Sequence, residues 1–127
     1  MAEVHYLKRS HNEAVLKCYK TDSGGGTVDV SLADLVSENE TFDANTASVT
    51  IKEIFWGAKK DKQIDLTRIV PDDPSGVHGH YYLTNSGSYQ FVGFVDDTYS
   101  SKDIRIIADG PFHMILKLTK SSGYIKS

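Results

Sequence analysis

The residues that most suggest chemistry in this chain are two histidines separated by one glycine, His78-Gly79-His80. On a β-strand, side chains two positions apart point to the same face, so the two imidazoles would lie together. A zinc site needs three or four ligands. The residues that could complete such a site are His5, His113, Asp72 and Asp73. We favour a solvated or interfacial histidine pair, and we predict no metal and no cofactor.

Two acidic pairs, Asp72-Asp73 and Asp96-Asp97, are candidates for calcium ligands. Each pair lies among turn-forming residues, where an aspartate carboxylate accepts hydrogen bonds from its own backbone. Neither run has the alternating Asp-x-Asp-x-Asp-Gly spacing of a calcium loop. Turn formation is therefore the interpretation that we favour.

The sequence contains no recognisable motif for a catalytic nucleophile. Cys18 is the single cysteine, so it forms no internal disulfide, and the pattern around it predicts a buried position on a strand. The glycines at 24–26 precede a β-branched segment instead of a helix, which favours a turn over a phosphate cradle. The sequence contains no Gly-x-Ser-x-Gly or His-Glu-x-x-His motif. We therefore predict that the chain is not an enzyme.

Aromatic residues concentrate in the second half of the chain. We expect most of them in the core, because aromatic side chains bury a large apolar area. Tyr81 and Tyr82 are adjacent, so on a strand one of them faces outward or into a partner. The alternative is a surface on which sugar rings stack, and its candidates are Trp56, Tyr82 and Tyr99.

Charge and hydropathy narrow the classes of partner. The 127 residues carry 14 Lys and Arg against 17 Asp and Glu, a formal net charge of -3, so a basic footprint for nucleic acid is missing. No apolar run approaches the roughly 20 residues that cross a bilayer, which predicts no membrane partner. Residues 1–5 lack the features of a signal peptide, so we expect a protein made and kept in the cytoplasm, or released without a secretion signal.

The secondary structure predicted for the whole chain, including the candidate residues named above, is almost entirely β-strand. Short runs of alternating apolar and polar residues are broken by Gly, Pro, Asn, Asp and Ser, giving roughly nine or ten strands. The only predicted helical turn is Ser31–Val36, with Ser31 as its N-cap. A shift in the alternation near Glu53-Ile54-Phe55 predicts a bulge. We expect an all-β, mostly antiparallel sandwich or jelly roll, formed as a single domain by residues 1–127.

The second half of the chain resembles a known group of proteins. The segments that show the resemblance are, in chain order, Ser48–Ile51, Phe55–Gly57, Ile64–Arg68, Gly87–Phe91, Asp103–Ile106 and Ile115–Tyr124. The last of them is an apolar strand followed by a Lys and then by Gly-Tyr, and it is the most distinctive. This order is similar to that of small β-rich virion structural proteins of tailed phages, especially marine and cyanobacterial ones.

The resemblance implies a non-enzymatic virion protein, made in the host cytoplasm and placed on the capsid surface. We expect a decoration (cement) protein that binds at junctions between major capsid protein subunits, and a dimer or trimer of this chain is left open. The alternatives are a carbohydrate-binding module of a tail fibre and a neck or tail component. We expect contacts from an extended arm (residues 1–8), the loop Asp72–His80 and a tail (residues 121–127), and the residues concerned are Val4, Tyr6, Asp72, Asp73, His78, His80, Tyr124 and Ile125.

Overall fold

The computed structural model describes residues 3–21, 24–91 and 98–126 of the chain. These residues form eleven strands and no α-helix, which confirms the all-β prediction. The strands are β1 (Glu3–Arg9), β2 (Glu13–Lys20), β3 (Gly26–Val30), β4 (Glu40–Phe42), β5 (Ser48–Ala58), β6 (Gln63–Ile69), β7 (Val77–Thr84), β8 (Ser86–Gln90), β9 (Ile104–Ala108), β10 (Phe112–Ser122) and β11 (Tyr124–Lys126). The predicted Asp96-Asp97 turn and Phe94 lie outside the described residues.

The strands form two main sheets that share one core. The five-stranded sheet has the order β1-β2-β10-β5-β8, and the four-stranded sheet has the order β3-β9-β6-β7. All of their pairs are antiparallel. Buried residues of both sheets, such as Leu116 and Ile106, belong to a single apolar cluster. The arrangement is sandwich-like, as predicted, and the jelly-roll form stays a prediction.

Alternation along each strand decides which side chains enter this core. In β2, Ala14, Leu16 and Cys18 are fully buried, which confirms the prediction for Cys18. Burial raises the pKa of the Cys18 thiol to about 12, so the thiol stays protonated and chemically inert at neutral pH. In β5 the alternation of buried and exposed residues shifts by one position after Ile51, because the register with β10 shifts between Lys117 and Leu118. The predicted bulge is therefore present, at Lys52, one residue before the predicted segment.

Arg68 connects the two sheets through the core. Its side chain is fully buried in β6, on the same face as Ile64 and Leu66. One terminal nitrogen donates to the carbonyl of Lys102 at 2.8 Å and the other to the carbonyl of Val49, in the opposite sheet, at 2.7 Å. Buried charge is tolerated when carbonyl oxygens replace the lost water.

The helical turn predicted at Ser31–Val36 is a short 3₁₀ helix, Leu32–Leu35. Ser31 caps it, accepting a hydrogen bond from the Ala33 N–H at 3.3 Å through its hydroxyl. The apolar side chains of Leu32 and Leu35 are buried, so this single turn closes one end of the core. Residues 37–45, which follow it, are polar and acidic, a pattern that predicts a surface loop. They nevertheless include strand β4, because β4 pairs with β11.

The ammonium group of Lys120 holds this end of the molecule together. It donates hydrogen bonds to the carbonyls of Ser10 and Leu35, at 2.6 and 2.8 Å, and to the Glu40 carboxylate at 2.6 Å. It also lies 4.4 Å from the centroid of the Tyr124 ring, within the range of a cation–π interaction. The side chains of Lys120 and Glu40 are 0% and 1% exposed, so this is a buried ion pair.

Glu40 is held ionised by its surroundings. Burial alone would raise its pKa, but hydrogen bonds from Lys120, the Ser37 N–H and His11 outweigh that effect and hold the pKa at about 2. The His11 Nδ1 lies 2.6 Å from the Glu40 Oε2. One carboxylate thereby joins the β1–β2 hairpin tip, the segment after the 3₁₀ helix and strand β10.

Gly123 and Tyr124 complete the same cluster. Gly123 has a φ of 85°, and a Cβ added there would collide with the backbone of Ala47. The conformation brings the Tyr124 ring inward, where its hydroxyl donates to the Leu32 carbonyl at 2.6 Å. Burial, with the nearby Asp103 and Glu40 charges, raises the pKa of Tyr124 above its usual range. The Lys and Gly-Tyr ending is therefore a packing unit of this fold.

We expect Gly123→Ala to destabilise the protein by at least about 2 kcal/mol, because a left-handed φ and a backbone collision act together. Gly76→Ala is the matched control: Gly76 has a φ of 80°, but an added Cβ meets nothing within 4 Å. The control should lose only about 1 kcal/mol. Urea unfolding of both variants measures the difference, and equal losses would contradict the packing role of Gly123.

We also expect acid to remove the contribution of Glu40 to stability. Its folded pKa of about 2 lies below the ordinary value of 4.5, so the contribution is complete above about pH 4.5 and is lost as the pH falls toward 2. Glu40→Gln should cost about 3 kcal/mol at neutral pH and flatten the stability curve between pH 4.5 and 2. Glu38→Gln removes an equal charge from an exposed neighbour. A Glu38 variant with the same flattened curve would contradict this assignment.

Candidate functional site

The predicted contact loop is shorter than the sequence indicated. Residues 71–76 form turns, and β7 begins at Val77, so His78 and His80 lie on a strand. Asp72 is exposed. Asp73 accepts hydrogen bonds from the Ser75 N–H and hydroxyl, at 3.1 and 2.9 Å, which lower the pKa of Asp73. The interpretation of Asp73 as a turn-forming residue is confirmed.

The two histidines lie side by side at the start of β7. Their ring centroids are 6.0 Å apart, and the Tyr99 ring lies 4.8 Å from that of His78. In the part of the chain that the structure describes, no three His, Cys, Asp or Glu residues are grouped closely enough to hold a metal ion. The pair belongs to an aromatic cluster, in which His78 packs against Tyr99 and His80 against Tyr81.

The predicted N-terminal arm, in its described part from residue 3 to residue 8, is strand β1. Val4 pairs with Cys18 and Tyr6 with Leu16 in the register with β2. Both side chains are half-buried and pack on the core, because every second residue of β1 faces inward. Residues 3–8 are therefore part of a strand of the five-stranded sheet and not an extended arm, whereas Leu7, which follows Tyr6, is 57% exposed.

The predicted tail is likewise part of the fold. Tyr124 is buried at 6% exposure, so its ring does not meet a partner, and the contact predicted for it is wrong. The reason is the inward turn at Gly123, which no periodicity in the sequence reveals. Ile125, the next residue of β11, is 55% exposed and keeps the surface position that was predicted for it.

Strands β7 and β8 are the edge strands of the two sheets on one side of the molecule. A cluster of aromatic rings runs along this side, and we call it the aromatic edge. We define it by a chain of ring contacts with centroid separations from 4.8 to 6.4 Å, formed by Trp56, His78, His80, Tyr81, Tyr89, Phe91 and Tyr99. Asn85, with a φ of 58°, is the single residue between β7 and β8, so the chain passes there from one sheet to the other. The residues Asn85-Ser86-Gly87 are turn formers and predict a turn, but Ser86 and Gly87 already belong to β8.

Glycine allows the rings of this edge to lie close to the backbone. A Cβ on Gly87 would lie 2.9 Å from the Trp56 ring, which would have to move. Trp56 also donates from its indole nitrogen to the Thr84 carbonyl at 3.0 Å. Its position is therefore fixed by a hydrogen bond, by the Gly87 backbone and by the Tyr89 ring at 5.2 Å.

The three residues predicted for sugar stacking do not form one platform. Trp56 is half-buried within the aromatic edge, whereas Tyr82 is 63% exposed and pairs with Asp65 on the outward side of β7. Tyr99 is 43% exposed and packs on His78. Tyr81 and Tyr82 face opposite sides of the sheet, as predicted. Tyr89, at 45% exposure, is an exposed ring that the sequence interpretation did not single out.

A shallow groove crosses the outer surface of the five-stranded sheet. Its described lining includes Lys17, Lys59 and His113 together with Tyr19 and Ile115, and it contains no acidic residue.

Comparison with protein-family models, with curated proteins and with solved structures found no match for this chain. Among the described residues, no helix has the length and apolar character needed to cross a bilayer.

We expect Tyr89→Ala to cost about 1 kcal/mol in unfolding free energy and to increase quenching of Trp56 fluorescence by iodide, because Tyr89 covers one side of the indole. Tyr82→Ala removes a more exposed ring that faces outward, and it should leave quenching unchanged. Because Trp56 is the only tryptophan, the emission reports on this site alone. Equal quenching in the two variants would contradict the cover by Tyr89.

Proposed function

We propose that this chain is a non-enzymatic virion structural protein that decorates the outer shell of a phage capsid. It binds at junctions between major capsid protein subunits and stabilises the shell through many repeated contacts. Each contact is modest, but binding at several points on a lattice gives avidity far above that of one interface.

The observation that carries the binding role is a set of exposed apolar side chains on a tightly held framework. Leu7, Tyr89 and Ile125 are each about half exposed, yet they lie on strands whose neighbouring residues are fixed in sheets. Contacts made by such residues require little ordering upon binding, so more of the interaction energy is kept. This favours a protein that works through its surface.

The particular assignment to a virion is supported by the resemblance of the second half to small phage structural proteins. The most distinctive part of that resemblance, the Lys and Gly-Tyr ending, has a physical role here. Lys120, Gly123 and Tyr124 hold the last strand against the core. A shell protein gains from a locked end, because a frayed terminus is where unfolding and proteolysis begin.

A second candidate is a carbohydrate-binding module of a tail fibre. The observation in its favour is the exposure of Tyr82 and Tyr99, since an exposed ring can stack on a sugar. The half-buried position of Trp56 limits that surface to the two tyrosines. A fibre protein would be present in few copies, so the copy number separates the two candidates.

The test is the number of copies of this chain per purified particle, measured by calibrated mass spectrometry against the major capsid protein. We expect on the order of hundreds of copies, as a lattice-wide role requires. About six or twelve copies would assign the chain to the neck, tail or fibres, as would be expected from their symmetry. Absence from the particle would overturn the proposal.

The contact surface is tested by adding purified variants to particles that lack the chain. Ile125→Asp should reduce occupancy, because it places a charge on the exposed apolar residue of β11. Ser101→Asp makes the matched change in charge at an exposed turn. If both variants bind as well as the native chain, Ile125 takes no part in the contact.

A further inference from the structure

The two sheets have four edge strands, and these edges differ in how they are protected. A strand at the edge of a sheet has a neighbouring strand on one side only, so an unprotected edge can pair with another strand. Proteins block such pairing with charged side chains, with bulges or with proline. In the described part of the chain the edges are β1 and β8 of the five-stranded sheet and β3 and β7 of the four-stranded sheet.

Three of these edges carry a protective feature. In β1, Glu3, Lys8 and Arg9 are charged, and the register with β2 shifts between Tyr6 and Lys8. Strand β3 carries Asp29 in an ion pair with Arg105 at 2.7 Å. Strand β7 has a register shift at the position of His80.

Strand β8 carries none of these features. Its sequence, Ser86-Gly87-Ser88-Tyr89-Gln90, has no charge and no proline, and its register with β5 is continuous. All five residues are exposed. It is therefore the edge on which a further strand meets the least resistance.

The hydrogen bonds to β5 determine which groups of β8 face outward. The Asn85 carbonyl accepts from the Ala58 N–H at 2.7 Å, and the Phe91 N–H donates to the Lys52 carbonyl at 3.1 Å. In an antiparallel pair, alternate residues turn both backbone groups to the same neighbour. Gly87 and Tyr89 therefore face β5. The N–H and C=O groups of Ser86, Ser88 and Gln90 face away from it.

We propose that two copies of this chain associate through their β8 strands, antiparallel about a two-fold axis at Ser88. Ser88 then lies opposite Ser88 of the second copy, and Ser86 lies opposite Gln90, each pair exchanging two backbone hydrogen bonds. The two five-stranded sheets become one continuous sheet. This interaction does not depend on the virion role.

A second copy is the occupant that the residues of β8 favour. A two-fold interface brings the same patch from both chains together, so a charge at the axis would face its own copy. Strand β8 carries no charge at Ser88 or at its other positions, so its pairing with itself has no such cost. A strand of a charged partner, by contrast, would find no opposite charge on β8.

The first measurement is sedimentation equilibrium of the native chain and of Ser88→Lys. We expect a native monomer–dimer equilibrium, and we expect Ser88→Lys to raise the dissociation constant at least about tenfold, since it places two ammonium groups across the axis. Ser101→Lys adds the same charge at an exposed turn and should leave the constant unchanged. A native chain that stays monomeric at every concentration, or a dimer that Ser88→Lys does not weaken, would overturn the proposal.

The second measurement reads the backbone directly and needs no variant. Amide hydrogen exchange, followed by NMR at low and high protein concentration, should slow with concentration at Ser86, Ser88 and Gln90. The amides of Gly87 and Tyr89 are bonded to β5 in both states, so they are the internal control. A dimer in which the three outward amides exchange as fast as in the monomer would place the interface elsewhere and refute the pairing.

Discussion

The end of the molecule around the 3₁₀ helix depends on one buried charge, the ammonium group of Lys120. A buried cation without partners costs far more than a domain can tolerate, so its position fixes every group that must satisfy it. Those groups come from the β1–β2 hairpin tip, the 3₁₀ helix, strand β4 and the aromatic ring after Gly123. Apolar packing of these segments tolerates small shifts, whereas three short hydrogen bonds to one nitrogen do not.

Arg68 performs a comparable task in the middle of the sandwich. Its guanidinium reaches from β6 to carbonyls of Val49 and Lys102, so a side chain of one sheet bonds to the backbone of the other. The planar guanidinium places its donors in fixed directions, which sets the sheets in a defined relative position. The two cations thus add directional constraints to a core that is otherwise aliphatic and aromatic.

The fixed positions of these segments determine which surfaces the protein can offer to a partner. With β1 and β11 held in the fold, the described chain presents no loose arm, and the surfaces that it offers are strand edges and the exposed side chains beside them. The aromatic edge and β8 lie on the same side, because the chain changes sheet at Asn85. A decoration protein and a self-pairing edge are compatible, since a dimer doubles the contacts available to each bound unit.

Features that arise from neighbouring residues were predictable from the sequence. The alternation of apolar and polar residues predicted the strands and the burial of Cys18. Ser31 was recognisable as a helix cap and Asp73 was recognisable as a turn former. Each of these effects acts between residues only a few positions apart. The burial of Lys120 was not predictable, since its carboxylate partner Glu40 is 80 positions away and meets it only in the folded chain. The inward turn of Tyr124 and the open edge at β8 likewise arise only on folding. A strand's own residues do not record which strand lies beside it, because backbone hydrogen bonds form between any two strands that tertiary packing brings together.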